Sequence, residues 1–171
     1  MNLSGYEPST SRTCLLTPQG FAKKKARLDY LSTMKRKEIA DYLHEAKQDG
    51  SLHENSAYDD AKQEQARVEQ EILTLERLLE TAAVMTMDMY PAEQGPLTIR
   101  IGMQVTVENE AGTSRVFKMV ETCEAEPKAG FISDQSPVGK ALMGHRVGDE
   151  VNVVTPGGAI HYRIRDVTTF L

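Results

Sequence analysis

Seven positions, Ala61, Gln65, Val68, Ile72, Leu75, Leu79 and Ala82, follow one another in alternating steps of four and three. That spacing is a heptad seam with one polar member. It predicts a long helix with a single narrow apolar stripe, wide enough for one partner helix and too narrow for two. The partner is upstream. Thr17-Pro18 offers an N-cap followed by proline at the first helical position. A looser apolar line, Phe21, Leu28, Leu31, Met34, Ile39, Leu43 and Ala46, runs on to Gly50, a residue suited to end a helix. Lys24 and Lys35 interrupt that line. Each arm runs to roughly 30 residues, which makes a hairpin about 45 Å long at 1.5 Å per residue.

Between the arms lies Asp49-Gly50-Ser51-Leu52-His53-Glu54-Asn55-Ser56-Ala57-Tyr58. A turn there places Asp49, Glu54, Asp59 and Asp60 at the end of the hairpin, far from any core. Carboxylates so placed repel one another and gain nothing from packing. Their expected use is delivery into something else. The charge is divided along the rod. Lys23, Lys24, Lys25, Arg27, Lys35, Arg36 and Lys37 make the first half of the first arm basic. From Glu45 to Glu64 acids prevail over Lys47 and Lys62. The basic flank is either a solvated coiled-coil flank or a surface for a nucleic-acid backbone or acidic protein.

After the stalk the pattern changes. The stretch 85–96 loses the heptad and carries Pro91, Gly95 and Pro96. From Ile99 the period is two. Met103 to Val107 alternates, Glu110-Ala111-Gly112 offers a turn, and Ser114 to Glu121 returns as a second strand. A second hairpin is predicted from Val151 to Val167 around Thr155-Pro156-Gly157-Gly158. Between the two, Ser136 can N-cap a short helix with Pro137 in its first turn and Gly144 at its end. The reading is α+β. Residues 1–14 are a polar tail expected to be mobile, 15–88 the helical hairpin, and 89–171 a compact antiparallel sheet domain with a short helix.

Composition removes several classes. A net charge of −5 over 171 residues argues against a general nucleic-acid coat. No apolar run approaches a membrane span, and residues 1–13 lack the apolar centre of a signal peptide. There is no glycine-rich phosphate loop, no GxSxG and no HExxH. His44, His53, His145 and His161 are scattered without ligand spacing. Cys14 and Cys123 form no framework and no metal spacing, so two separate reduced thiols in a cytoplasmic protein are expected, with Cys123 a small buried strand residue.

Three stretches carry a resemblance. They are Leu16-Thr17-Pro18-Gln19-Gly20, then Gly50 to Tyr58 with Ala61-Lys62 and Gln65, and then Ile132 to Val151. Long and in the same order, they resemble the bacterial Gre factors, the GreA/GreB transcript-cleavage factors that bind RNA polymerase. The likeness covers roughly residues 15 to 170.

The resemblance implies an antiparallel coiled coil followed by a domain of FKBP-like fold. That domain would grip the polymerase at its secondary channel, with Ser136, Pro137 and Val138 at the contact. The stalk would enter the channel toward the nascent RNA 3′ end. The tip would hold an Mg²⁺ ion shared with the polymerase. The family's tip carries Asp directly after the glycine and Glu three residues later. Here Ser51 stands first and Glu54 second, with Asp49 the nearest further carboxylate. Glu54, Ser51 and Asp49 are therefore the expected tip residues, with Glu54 and Asp49 as the metal ligands.

The implied role is a cofactor to the polymerase's own nuclease, working as a monomer. A Gre-like modulator that occupies the same channel without cleavage is the alternative. A prolyl isomerase is disfavoured by a C-terminal half with no tryptophan and few aromatic residues. A pure coiled-coil adaptor would need no acidic tip.

Overall fold

The computed structural model describes residues 14–48, 56–90, 97–155 and 157–171. It forms two compact units, Phe21–Ala82 and a second assembled from Cys14–Gly20 with Ala83–Leu171.

In the first unit, which takes α1 (Pro18–Tyr30) from Phe21 onward, that helix passes through a π-helical turn at Leu31–Lys35 into α2 (Arg36–Gln48). The second arm is α3 (Ser56–Thr81), unbroken for 26 residues. Leu31, Ile39 and Leu43 from the first arm interlock with Ala61, Val68, Ile72 and Leu75 from the second. The π turn explains why the first arm's apolar line looked irregular. Leu31 and Ile39 are eight residues apart, one more than a heptad allows. One residue absorbed by the wider turn brings Ile39 back onto the seam. Met34 falls inside that turn and is 57% exposed, so the expectation that it belongs to the stripe is corrected. Gln65, the polar member of the second arm, is half-buried and accepts a hydrogen bond from Lys62 at 3.1 Å.

Two ion pairs tie the arms together. Arg27 Nε donates to Glu71 at 2.8 Å, and Arg36 Nε donates to Glu69 at 2.8 Å, each guanidinium reaching both carboxylate oxygens. These bonds hold Glu71 and Glu69 below the usual carboxylate range. Part of the basic flank is thus spent on the neighbouring helix.

The second unit is built on a five-stranded sheet. Its strands are β3 (Met103–Asn109), β4 (Ser114–Val120), β5 (Phe131–Ser133), β6 (Glu150–Thr155) and β7 (Gly158–Thr169), in the order β5-β4-β3-β7-β6. The expected hairpins appear as β3/β4 and β6/β7, both antiparallel. The sheet is mixed rather than wholly antiparallel, because β5 pairs with β4 in parallel. A crossover through the 3-10 turns Thr122–Glu124 and Pro127–Ala129 makes that direction possible. Strand β5 has three residues, too few to display a period of two. The ladder between β3 and β7 shifts register between Thr106 and Val107, a bulge at Arg165, whose guanidinium pairs with Glu108 at 2.8 Å. Val105, Val107, Met119, Val153 and Ile164 fill the core beneath, and Leu142 of α4 (Pro137–Leu142) covers it.

A separate two-stranded parallel sheet joins β1 (Leu15–Leu16) to β2 (Ala83–Val84). Both strands have two residues and left no trace in the sequence pattern. No helix among the described residues is long and apolar enough to cross a membrane.

Candidate functional site

Of the predicted site positions, those at the start of α4 lie among the described residues. Ser136 adopts extended backbone, and its hydroxyl accepts the Gly139 N–H at 3.0 Å. The same hydroxyl donates to the Ser133 carbonyl at 2.7 Å, which also receives the Ser136 N–H at 3.0 Å. Pro137 takes the first helical position, where its missing N–H costs nothing. The sequence-predicted cap and first turn are both present.

The approach to this cap is fixed by a chain of small polar groups. Ser133 is buried, and its hydroxyl sits 2.9 Å from that of Thr122 and accepts the Gln135 N–H at 3.0 Å. Asp134 N–H donates to Val120 in β4 at 3.1 Å. Gly139 is required by close approach, since a methyl group there would overlap the Ser133 carbonyl oxygen. Val138 turns inward against the sheet core, whereas Pro137, Gln135 and Lys140 are exposed. The three residues expected to form a contact therefore divide. Pro137 is presented outward, Ser136 holds the backbone shape, and Val138 anchors the turn to the core.

Beyond α4 the chain is pinned again. Asp149 accepts the Arg146 N–H at 2.9 Å and lies 3.2 Å from His145 Nδ1, contacts that lower its pKa. Arg146 Nε donates to Thr98 at 3.2 Å. The Ile99 N–H donates to the His145 carbonyl at 2.8 Å. Both ends of α4 are thus tied by hydrogen bonds to neighbouring segments.

Asp49, Ser51 and Glu54, the expected tip residues, lie outside the described residues. The residues on either side of them continue the seam. Leu43 and Ala61 are buried, and Tyr58 packs against the same cluster. Lys62 Nζ stands 5.9 Å from the Tyr58 ring. Glu45, Asp59 and Asp60 are exposed on the flanking turns.

One cluster was not anticipated. Cys14 and Cys123 are joined as a disulfide across 109 residues. The expectation of two separate reduced thiols is corrected, and Cys123 stands in a 3-10 turn rather than on a strand. Spacing gave no signal, because the pairing depends on β1 docking beside the Thr122–Glu124 turn. Among the described residues, the one group able to gather three metal-ligand side chains is this pair with Glu121.

Comparison with known proteins adds to this geometry. Residues 14–84 match the family described as "Transcription elongation factor, N-terminal", and residues 94–169 match "Transcription elongation factor, GreA/GreB, C-term". The chain is 40% identical over 158 residues to the transcription elongation factor GreA of Thermoanaerobacter pseudethanolicus, covering 92% of this chain and 98% of that protein. With GreA of Geobacillus kaustophilus it shares 41% identity over 150 residues, 87% of this chain and 92% of the relative. Among solved structures, GreA factor homolog 1 (Gfh1) of Thermus thermophilus aligns at 31% identity with a TM-score of 0.41, covering 92% of this chain and 99% of that one. The transcription elongation factor GreA/GreB from Nitrosomonas europaea aligns at 20% identity with a TM-score of 0.41, covering 91% and 97%.

Proposed function

Because the chain belongs to the GreA/GreB family of transcription elongation factors, we propose that it binds RNA polymerase in the secondary channel and stimulates the polymerase's own cleavage of backtracked RNA. The observation that carries this reading is a segment at 49–55 holding Asp49 and Glu54, set between two helices that pack on each other along a single buried seam. A rod of that kind gains nothing by ending in carboxylates unless they meet a partner.

In this reading the second unit binds the polymerase rim through the α4 turn. Pro137 makes the contact, and the Ser133–Ser136 hydrogen bonds keep it in shape. Cutting the phosphodiester stays with the polymerase, so this chain is a cofactor and not itself a nuclease. It works as a monomer in the cytoplasm, beside the nascent RNA 3′ end.

The donor set at the tip is hard oxygen, two carboxylates and a hydroxyl, which suits Mg²⁺. Glu54 and Asp49 would hold the ion, and Ser51 would add a neutral ligand or orient the attacking water. Bound beside the polymerase's own ion, Mg²⁺ supplies charge neutralisation and a more acidic water. Glu54 and Asp49 would give such a site its charge, and the helices α2 and α3 on either side of it would carry it.

Ser51 in the position where the resemblance expects Asp favours a second reading, a modulator that occupies the channel without promoting cleavage. One titration separates them. A stalled, backtracked polymerase is incubated with and without the protein across Mg²⁺ concentrations, and RNA cleavage and polymerase binding are both followed. Stimulated cleavage that rises with Mg²⁺ supports the first reading. Binding with no stimulation, turned into stimulation by Ser51→Asp, supports the second. Absence of binding contradicts both.

A further inference from the structure

The Cys14–Cys123 pair is placed where a covalent bond has a definite mechanical effect. Cys14 precedes β1, the segment leading directly into α1, and is 2% exposed. Cys123 sits half-buried in the Thr122–Glu124 turn. That turn already holds β1 by other means. The Glu121 carboxylate accepts the Leu15 N–H at 2.8 Å, and the Glu124 carboxylate accepts the Thr17 N–H at 2.7 Å and also the Thr17 hydroxyl. On the other side, Ala83 and Met85 donate to the Cys14 and Leu16 carbonyls at 2.9 and 2.8 Å. Every one of these bonds remains available when the sulfurs are apart.

We propose that Cys14 and Cys123 are a reversible redox modification site, a disulfide that fastens β1 to the Thr122–Glu124 turn when oxidised and a dithiol when reduced. Two features favour a reversible bond over a permanent staple. The unit has a complete apolar core of its own around β3 and β7, unlike the small domains that depend on disulfides. Cys123 is only half-buried and is the thiol a reagent would meet first, while Cys14 is enclosed beside it as the resolving thiol.

The oxidant is a low-molecular-weight disulfide. The Cys123 thiolate attacks it, forming a mixed disulfide and releasing one thiol. Cys14 then loses its proton and attacks Cys123 Sγ, forming the protein disulfide and releasing the second thiol. Two electrons pass from the protein to the oxidant, and the two protons end on the released thiols.

Glu121 has a carboxylate oxygen within 4.8 Å of both sulfurs. Zinc is the competing use of the same atoms. It fits less well, because a structural zinc site takes four ligands, three are gathered here, and Glu121 is engaged by Leu15.

The test uses the full chain equilibrated over a range of reduced to oxidised glutathione, quenched with N-ethylmaleimide and weighed intact. The expected product is a monomer lighter by two hydrogens that takes up no maleimide. Its digest holds one peptide pair joining Cys14 to Cys123, and dithiothreitol restores both thiols. Amide exchange at Leu15 to Thr17 should slow by about 30-fold or more on oxidation, the equivalent of a typical disulfide's 2–4 kcal/mol. Cys14→Ser and Cys123→Ser should each remove the slowing. The mass readout on the unaltered chain needs no variant to fold. Two free thiols at every glutathione ratio would overturn the proposal, as would disulfides linking separate chains. Stoichiometric protection of both thiols by Zn²⁺ alone would overturn it in favour of a metal site.

Discussion

The hairpin buries a single file of side chains, Leu31, Ile39, Leu43, Ala61, Val68, Ile72 and Leu75, whereas the second unit buries a cluster spread over a sheet. A file is held only by the partner opposite and the neighbours above and below. A sheet core is held in two dimensions. The difference teaches where function can sit. The file needs partners only along its length, and the proposed function puts its chemistry in the residues that join the two arms. The sheet unit makes a fixed surface, where a residue such as Ser136 serves shape and presentation together.

The comparison breaks most visibly at the seam. Ile72→Ala should cost about 2–5 kcal/mol and act on the hairpin alone. Amide exchange would rise along α2 and α3 while β3 and β7 keep their protection. Equal loss in both units would mean that the two melt as one body. Next in size is Gly139→Ala, where the added methyl meets the Ser133 carbonyl. About 1–3 kcal/mol should be lost from the sheet unit, read as a lower melting midpoint of that unit. Ser136→Ala, which removes the cap, should cost about 1 kcal/mol. Pro137→Ala should leave stability nearly unchanged and lower polymerase affinity. An unaltered affinity would move the contact to another part of the surface.

The smallest effect belongs to the ion pairs. Hydrogen bonds from Arg27 and Arg36 depress the pKa of Glu71 and Glu69. A carboxylate whose folded pKa is depressed stabilises the fold above its unfolded pKa, and that contribution disappears as pH falls through the folded value. The hairpin should therefore loosen as pH drops below about 4, the ordinary carboxylate range. Because these groups are exposed, the loss should be slight and smaller at high salt. Circular dichroism against pH at two salt concentrations measures it. A hairpin indifferent to acid would mean that the seam alone sets its stability.

What the sequence disclosed follows the length of each element. The 26 residues of α3 repeat the heptad often enough to be unmistakable, and β3/β4 and β6/β7 carry alternation with turn residues between them. Ser136 and Pro137 announced a helix start because capping is a local rule. The first arm was legible only in outline, because a π turn shifts its phase and no residue type marks such a turn. Strands β1, β2 and β5 were illegible, having two or three residues each. The disulfide was hidden for a related reason. It depends on β1 meeting a turn more than a hundred residues away, which is a property of the fold and not of any window of sequence.

The claim at the centre is that the hairpin carries its chemistry at a place where it carries no packing. Glu54→Ala tests this most directly, with RNA cleavage and polymerase binding measured on the same backtracked complex. Stimulated cleavage should fall by at least about 10–100-fold, the range seen for partners one step further from a metal, while polymerase affinity and helical content stay as they were. Cleavage that persists at the unaltered rate would contradict the account, and so would a helical content that collapses with it.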